Sequence, residues 1–428
     1  MTGAPIGVGA RAPGRDINPL MSSQDTSGEP AGSLHWRRNL FVCMAGSFTT
    51  IVAMTLLLPF LPLYVRELGV SDHAAIVQWS GIAYGATFFS AALCAPLWGY
   101  LADRYGRKLM LIRASLGMAV AMSLLGMAHS VWQLVALRLL AGLLGGYASG
   151  SMVLVAAQTP KERSGWALGT MSSAIMAGNL VGPLIGGALQ PVIGTRRVFL
   201  GAGAMIFLAF VATLLLVREE QRPRPGGAKK EKAGWAAVTE RRPVIAMLAT
   251  GALLMFATMS IEPIITVYVA QLVADPGRVT LVAGLVMSAA ALGSTLSAPR
   301  LGRLADRIGP WRVVVLCLGA SALLLVPQAF VTAGWQLVLL RFLMGLSLGG
   351  LMPCITAVIR HHVPERSTGT VLGYSISSQY VGQVLGPLMG GFVGGHVGMR
   401  AVFLGTCALL AAAALWNARE ARGVSRGG

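Results

Sequence analysis

The chain has 428 residues, 55% hydrophobic and only 12% charged, with a formal net charge of +18 and a mean hydropathy of +0.67. Soluble domains carry about 25% charged residues, so this composition excludes an ordinary soluble protein and indicates a polytopic membrane protein. The basic excess suggests nucleic acid at first sight, but its placement along the chain argues against that.

Residues 1–36 are polar and rich in Gly, Pro and Ser, with no apolar segment after a basic start. They are expected to form a disordered cytoplasmic tail rather than a signal peptide, and Met21 offers an alternative start. Six apolar spans are then predicted over residues 39–63, 76–101, 109–128, 131–156, 166–190 and 198–217. Residues 218–242 contain Gln221-Arg222-Pro223-Arg224-Pro225 and Lys229-Lys230-Glu231-Lys232, which reads as a solvated linker. Six further spans are predicted over 243–271, 280–302, 312–332, 334–359, 370–394 and 401–417, followed by a short tail over 418–428. The sequence thus predicts two six-helix bundles, 37–217 and 243–417, in an all-α membrane protein with 12 transmembrane helices. With that topology, 27 of the 34 Lys and Arg fall on the side shared by the two termini and 5 on the other. The positive-inside rule then places both termini in the cytoplasm, and the basic excess is a topology signal.

The two halves repeat each other. Gly99-Tyr100-Leu101-Ala102-Asp103-Arg104-Tyr105-Gly106 recurs as Gly302-Arg303-Leu304-Ala305-Asp306-Arg307-Ile308-Gly309, and Trp132-Gln133-Leu134 as Trp335-Gln336-Leu337. Arg138 is matched by Arg341, Gly182-Pro183 by Gly386-Pro387, and Val198-Phe199-Leu200 by Val402-Phe403-Leu404. Duplicated hydrophobic halves with matching punctuation are the signature of a transporter that moves one half against the other.

Three motifs carry the chemistry. At the end of the second span, Gly99, Asp103, Arg104, Gly106, Arg107 and Lys108 place a carboxylate where it can face a helix N-terminus and three cations in the headgroup region. The glycines permit a tight turn and close approach, and Asp306 and Arg307 repeat the core of the pattern. In the fourth span, Arg138 lies in Leu134-x-x-x-Arg138-x-x-x-Gly142, and Arg341 occupies the same place in the tenth. A guanidinium in hydrocarbon is costly unless paired or hydrated, so each either faces a central cavity or snorkels to the interface. In the fifth span, Gly178, Gly182 and Gly186 recur every four residues and form a small-residue face, with Pro183 kinking the helix and Gly187 beside it. A near-complete copy runs from Gly382 to Gly391.

The residues from Gly99 to Lys108 resemble the loop 2–3 signature of the major facilitator superfamily. That resemblance implies two pseudo-symmetric bundles, a gating role for the loop, and an Asp103 contact near the start of span 11, where Arg366 lies. The span-4 arginine pattern is similar to that of the same family. The glycine-proline pattern of span 5 resembles the signature of proton-coupled antiporters, which implies export. The stretches Gln78 to Ile82, Pro96 to Gly99, Ser164 to Thr170, Ser297 to Gly302 and Arg400 to Leu404 resemble multidrug exporters of the twelve-span drug:proton antiporter family. The likeness covers about residues 37–417 and implies a bacterial inner-membrane protein, monomeric, that exchanges protons for small amphipathic molecules.

Glu262 stands outside all of these motifs. It is the one acidic residue of 16 placed well inside a span, roughly 7.5 Å from the span centre at 1.5 Å per residue, next to Pro263. A carboxylate there can load and release a proton as hydration changes, or it can pair statically with an arginine. Glu262 and Arg138 are the expected proton-coupling pair. Asn179, Gln379, Gln383, Arg341 and Met259 are candidates to line the substrate cavity, with Gln78, Tyr84 and Tyr374 adding polarity. The five cysteines form no CxxC or His-Cys cluster, so no metal or cofactor is expected, and no nucleotide-binding or hydrolase motif occurs. The reading is an exporter of amphipathic drugs in exchange for protons, not an enzyme. The alternatives are a transporter of one polar metabolite and a transport-inactive membrane sensor.

Overall fold

The computed structural model describes residue 3, residues 35–219, residue 238 and residues 241–427. The tail expected over 1–36, except residues 3, 35 and 36, and most of the expected linker lie outside the described residues. The described residues form α-helices joined by short turns, with no strand among them.

In the first half, α1 (Trp36–Thr55) gives way through a short 3-10 turn to α2 (Leu61–Glu67). Pro59 and Pro62 lack the amide donors that would continue one helix. Next come α3 (His73–Tyr105) and α4 (Arg107–Leu125), joined by Gly106 at φ +95°, a conformation that L side chains rarely adopt. The span predicted over 131–156 is two helices, α5 (Val131–Leu144) and α6 (Tyr147–Gln158), separated where Gly146 takes φ +103°. Then α7 (Lys161–Ile193) and α8 (Thr195–Leu216) complete the half.

The second half repeats the order as α9 (Arg241–Leu272), α10 (Val279–Ile308), α11 (Pro310–Gln328), α12 (Gly334–Leu348), α13 (Leu351–His362), α14 (Glu365–His396) and α15 (Met399–Gly427). The last helix runs on to Gly427, past the end expected at 417. Among the described residues, eleven helical stretches are long and apolar enough to cross a membrane. Helix α14 has the length, 32 residues, but not the apolar composition, because Ser, Gln and Gly replace aliphatic side chains along it.

The duplication extends to single hydrogen bonds. The Tyr64 hydroxyl donates to the Leu125 carbonyl at 2.5 Å, and that of Tyr268 to the Gln328 carbonyl at 2.9 Å. Each ring packs on the matching phenylalanine, Phe199 at 5.3 Å and Phe403 at 5.2 Å between centroids. Side chains of Gln133 and Gln336 accept the amides of His129 and Thr332 at the starts of α5 and α12.

The glycine face of α7 packs on α1, as its spacing implied. A methyl group on Gly178 would meet Ile51, one on Gly182 would meet Thr55, and one on Gly186 would lie 2.6 Å from the Leu56 carbonyl carbon. The copy in α14 packs on α9 in the same way, with Gly390 against Ser260. At Gly186 and Gly390 the atoms met are all backbone, so no rotamer change can relieve a larger residue. Gly390→Ala should therefore lower stability by about 1–3 kcal/mol, read as a lower melting temperature of the detergent-solubilised protein. Gly169→Ala, whose methyl would meet nothing within 4 Å, should leave the melting temperature unchanged or raised.

Candidate functional site

The halves meet along two seams, α3 with α14 and α7 with α10, and both are lined with glycine. A methyl on Gly81 of α3 would lie 3.2 Å from the Pro387 carbonyl carbon of α14. Its repeat-mate Gly284 of α10 stands in the same relation to Pro183 of α7, at 3.1 Å. Gly187 abuts Thr280, whose hydroxyl donates to the Gly187 carbonyl at 3.0 Å, and the Ser288 hydroxyl donates to the Leu180 carbonyl at 2.6 Å. Gly391 and Gly395 rest on the backbone of Val77 and Ala74. These contacts occupy the part of each seam remote from the Gly106 and Gly309 turns.

Glu262 lies on α9 at the border of this closed region. Its carboxylate accepts a hydrogen bond of 2.6 Å from the Tyr84 hydroxyl of α3, a bond that joins the two halves. Behind Tyr84 stands Arg138 of α5, 2% exposed, with its guanidinium carbon 5.8 Å from the tyrosine ring centroid. Arg138 Nε donates to the Ala83 carbonyl at 3.2 Å, and the Thr87 hydroxyl donates to the Arg138 carbonyl at 3.1 Å. Arg138 is therefore a buried residue rather than one that reaches the interface. Arg341 of α12 is 4% exposed, and its charge acts on Glu262, although no ion pair within 4 Å joins them among the described residues. Its Nη1 lies 3.9 Å from Met344 Sδ, while Nε and Nη2 have no hydrogen-bond partner among the described residues. The arrangement brings together one carboxylate, one phenol and two guanidiniums beside seams whose other polar side chains are uncharged, among them Gln78, Thr280 and Ser288.

The remaining cavity candidates are more dispersed. Gln379 donates to Ser375 Oγ at 3.3 Å and Gln383 approaches Met255 Sδ at 3.6 Å, so both turn within the second half. Asn179 is exposed and bonds the Ile175 carbonyl of its own helix at 3.2 Å. Met259 packs at Gly386. Gln78 lies beside Gly391 on the seam, and Tyr374 is 44% exposed.

At the motif end, Asp103 is exposed and lines a cavity of about 380 Å³ with Trp98, Gly99, Arg107, Arg113 and, from the second half, Tyr380. A methyl on Gly99 would meet nothing within 4 Å, so the close approach expected there is not made in this structure. Arg104 lies over Tyr105 at 5.4 Å, and Arg107 donates to the Val153 carbonyl at 2.9 Å. Asp306 and Arg307 are exposed. The side chain of Arg366, the expected partner of Asp103, lies outside the described residues.

Two contacts at this end had no signal in the sequence. Arg113 stacks 3.6 Å over Trp98, and both donate to the Leu143 carbonyl freed by the α5–α6 break. Glu219 accepts the amides of Arg107 and Lys108 at 2.9 and 2.8 Å, capping α4 from 112 residues away in the chain. Glu219→Ala should speed hydrogen exchange at the Arg107 and Lys108 amides by about fivefold, for a cap worth about 1 kcal/mol; unchanged exchange would mean that the cap does not hold the turn.

With this geometry in place, comparison with known proteins locates the chain. The sequence profile described as Major Facilitator Superfamily matches residues 43–280 and 275–426. The chain is 43% identical over 374 residues to multidrug resistance protein MdtG of Serratia proteamaculans, covering 87% of this chain and 91% of that one. It is 41% identical over 395 residues to MdtG of Salmonella typhimurium, covering 91% and 97%. Among solved structures, a bacterial homologue of the human lysosomal transporter Spinster superposes with a TM-score of 0.71 at 16% identity, covering 90% and 96%. The POT family transporter PepTSo superposes with a TM-score of 0.72 at 14% identity, covering 92% and 99%. The chain belongs to the major facilitator superfamily, as a multi-pass transporter of the bacterial inner membrane and not an enzyme.

Proposed function

We propose that the protein exports amphipathic drugs across the inner membrane in exchange for protons, by alternating exposure of a site between its two halves. The observation that carries this reading is the Tyr84–Glu262 hydrogen bond, which puts a membrane-embedded carboxylate on the surface along which the halves part. A carboxylate there meets water from one side or the other as the seam rocks, and water access decides whether it holds a proton. Arg138 stands behind the Tyr84 ring, and Arg341 is a second buried cation in the half that carries Glu262. The names of the MdtG relatives support drugs as cargo. The near absence of other charged side chains inside the spans favours a greasy substrate over a polar metabolite.

In this reading α14 completes a twelve-span topology. It packs against α9 and α3 through Gly382, Gly386, Gly390 and Gly391, with Ser375 buried and Gln379 and Gln383 half-buried, while Val381, Leu385, Met389 and Phe392 are exposed. The bundles correspond to 37–217 and 243–417, with 218–242 as the linker and both termini cytoplasmic, as the positive-inside distribution suggests. The Gly106 and Gly309 turns then face the cytoplasm, and the glycine-lined seams close the outer side. The cavity beside Asp103 is the inner vestibule, and this is the state that loads drug from the cytoplasm. The loop from Gly99 to Lys108 acts when the inner side shuts, bringing Asp103 toward the start of α14. Substrate contacts fall to Met259, Gln379, Gln383 and Asn179, with the transporter acting as a monomer.

The test is efflux of a lipophilic fluorescent dye from vesicles under an imposed proton gradient. Wild type should show gradient-stimulated efflux, and Glu262→Gln, correctly inserted, should lose the stimulation. Stimulation undiminished in Glu262→Gln would place the proton site elsewhere. A folded wild type that moves no dye would favour the single-metabolite alternative.

A further inference from the structure

The two arginines are repeat-mates, yet they are used differently. Arg138 has spent its Nε on the Ala83 carbonyl and stands behind Tyr84, with which it shares the first half. Arg341 sits in the second half with Glu262 and holds two buried donors, Nε and Nη2, that nothing among the described residues accepts. A buried guanidinium with idle donors is costly, and native structures rarely keep one without a use. Glu262 presents the complementary problem. Its hydrogen-bond donor belongs to the other half, so any opening of the α3–α9 contact strips the carboxylate of that partner in an apolar setting.

We propose that Glu262 exchanges partners as the seam opens, passing from the Tyr84 hydroxyl across the seam to the idle donors of Arg341 within its own half. This rests on the alternating-access reading above. Each half then keeps a matched pair in the open state: Tyr84 stays beside Arg138, and Glu262 joins Arg341. The exchange makes the closed seam and the open seam alternative ways to satisfy one carboxylate. A proton on Glu262 cancels the charge that draws Arg341, so protonation acts on the seam at this exchange.

Few other groups can intervene. The helices packed on α9 carry their charged residues at their ends: His73, Asp103 and Arg104 on α3, Arg300 to Arg307 on α10, Arg360 to His362 on α13, Glu365, Arg366 and His396 on α14, and Arg400, Arg419, Glu420 and Arg422 on α15. Between those ends the titratable groups are Cys94 and Tyr100 of α3 besides Tyr84, Tyr268 of α9, Tyr374 and Tyr380 of α14, Cys354 of α13 and Cys407 of α15, with Arg66, Glu67 and Tyr64 on the short α2.

The test reads the seam directly. Nitroxide amino acids at Ser71 and Val397, exposed at the closed end of the two halves, report their separation by pulsed electron resonance, leaving the five cysteines in place. Tyr84→Phe should raise the open-to-closed ratio by about tenfold and Arg341→Gln should lower it by about tenfold, the size of one charge-assisted hydrogen bond. In a Glu262→Leu background both shifts should vanish. Shifts in the same direction, or shifts that persist with Glu262→Leu, would overturn the exchange. Should Arg341→Gln fail to fold, Arg341→Lys reads the same arm with fewer donors and a smaller shift of the same sign. Dye efflux scored on the same variants separates the two proposals. Opposed shifts without gradient-driven efflux would sink the antiport reading alone, whereas efflux with same-sign shifts would sink the exchange alone.

Discussion

A carboxylate in hydrocarbon must find a donor, and in this protein the donor of Glu262 lies on the other half of the molecule. Much of the arrangement around it follows from that constraint. Helices α3 and α9 must come within hydrogen-bonding reach of one another, which requires the flanking contacts of α3 with α14 to be tight, and only glycine at positions 81, 391 and 395 allows such contact. Arg138 is then held behind Tyr84 by the Ala83 carbonyl.

The internal duplication supplies the scaffold, and its imperfections supply the chemistry. Tyr64 and Tyr268, Gln133 and Gln336, Gly81 and Gly284, and Pro183 and Pro387 are symmetric because they hold each half together or let the halves abut. Glu262 and Tyr84 break that symmetry: Met287 stands at the repeat position of Tyr84, and a Leu-Pro pair stands where the first half would match Glu262. Packing needs repeat, since both halves solve the same problem of fitting helices without a hydrophobic driving force between them. The proton site proposed at Glu262 needs only one carboxylate.

Much of this was legible in the residues themselves. The spans follow from apolar runs, the two bundles from the repeat, and the glycine faces of α7 and α14 from their four-residue spacing. Glu262 stood out because an acid inside a span is expensive. The Tyr84 partnership did not, because 178 residues separate the pair and helix periodicity says nothing about which face of α3 meets which face of α9. The break after Leu144 was missed since Gly-Gly is common inside membrane helices, and the Glu219 cap because linker acids ordinarily point to solvent. Arg138 and Arg341 look equivalent in sequence; only their hydrogen bonds tell them apart.

In the exchange proposed above, Glu262 carries the proton that drug displaces. That role is tested most directly by adding a lipophilic dye to the solubilised protein in weakly buffered solution and recording proton release. Wild type should release protons, and the release should disappear in Glu262→Gln while dye binding persists. Equal release from both proteins would contradict that role.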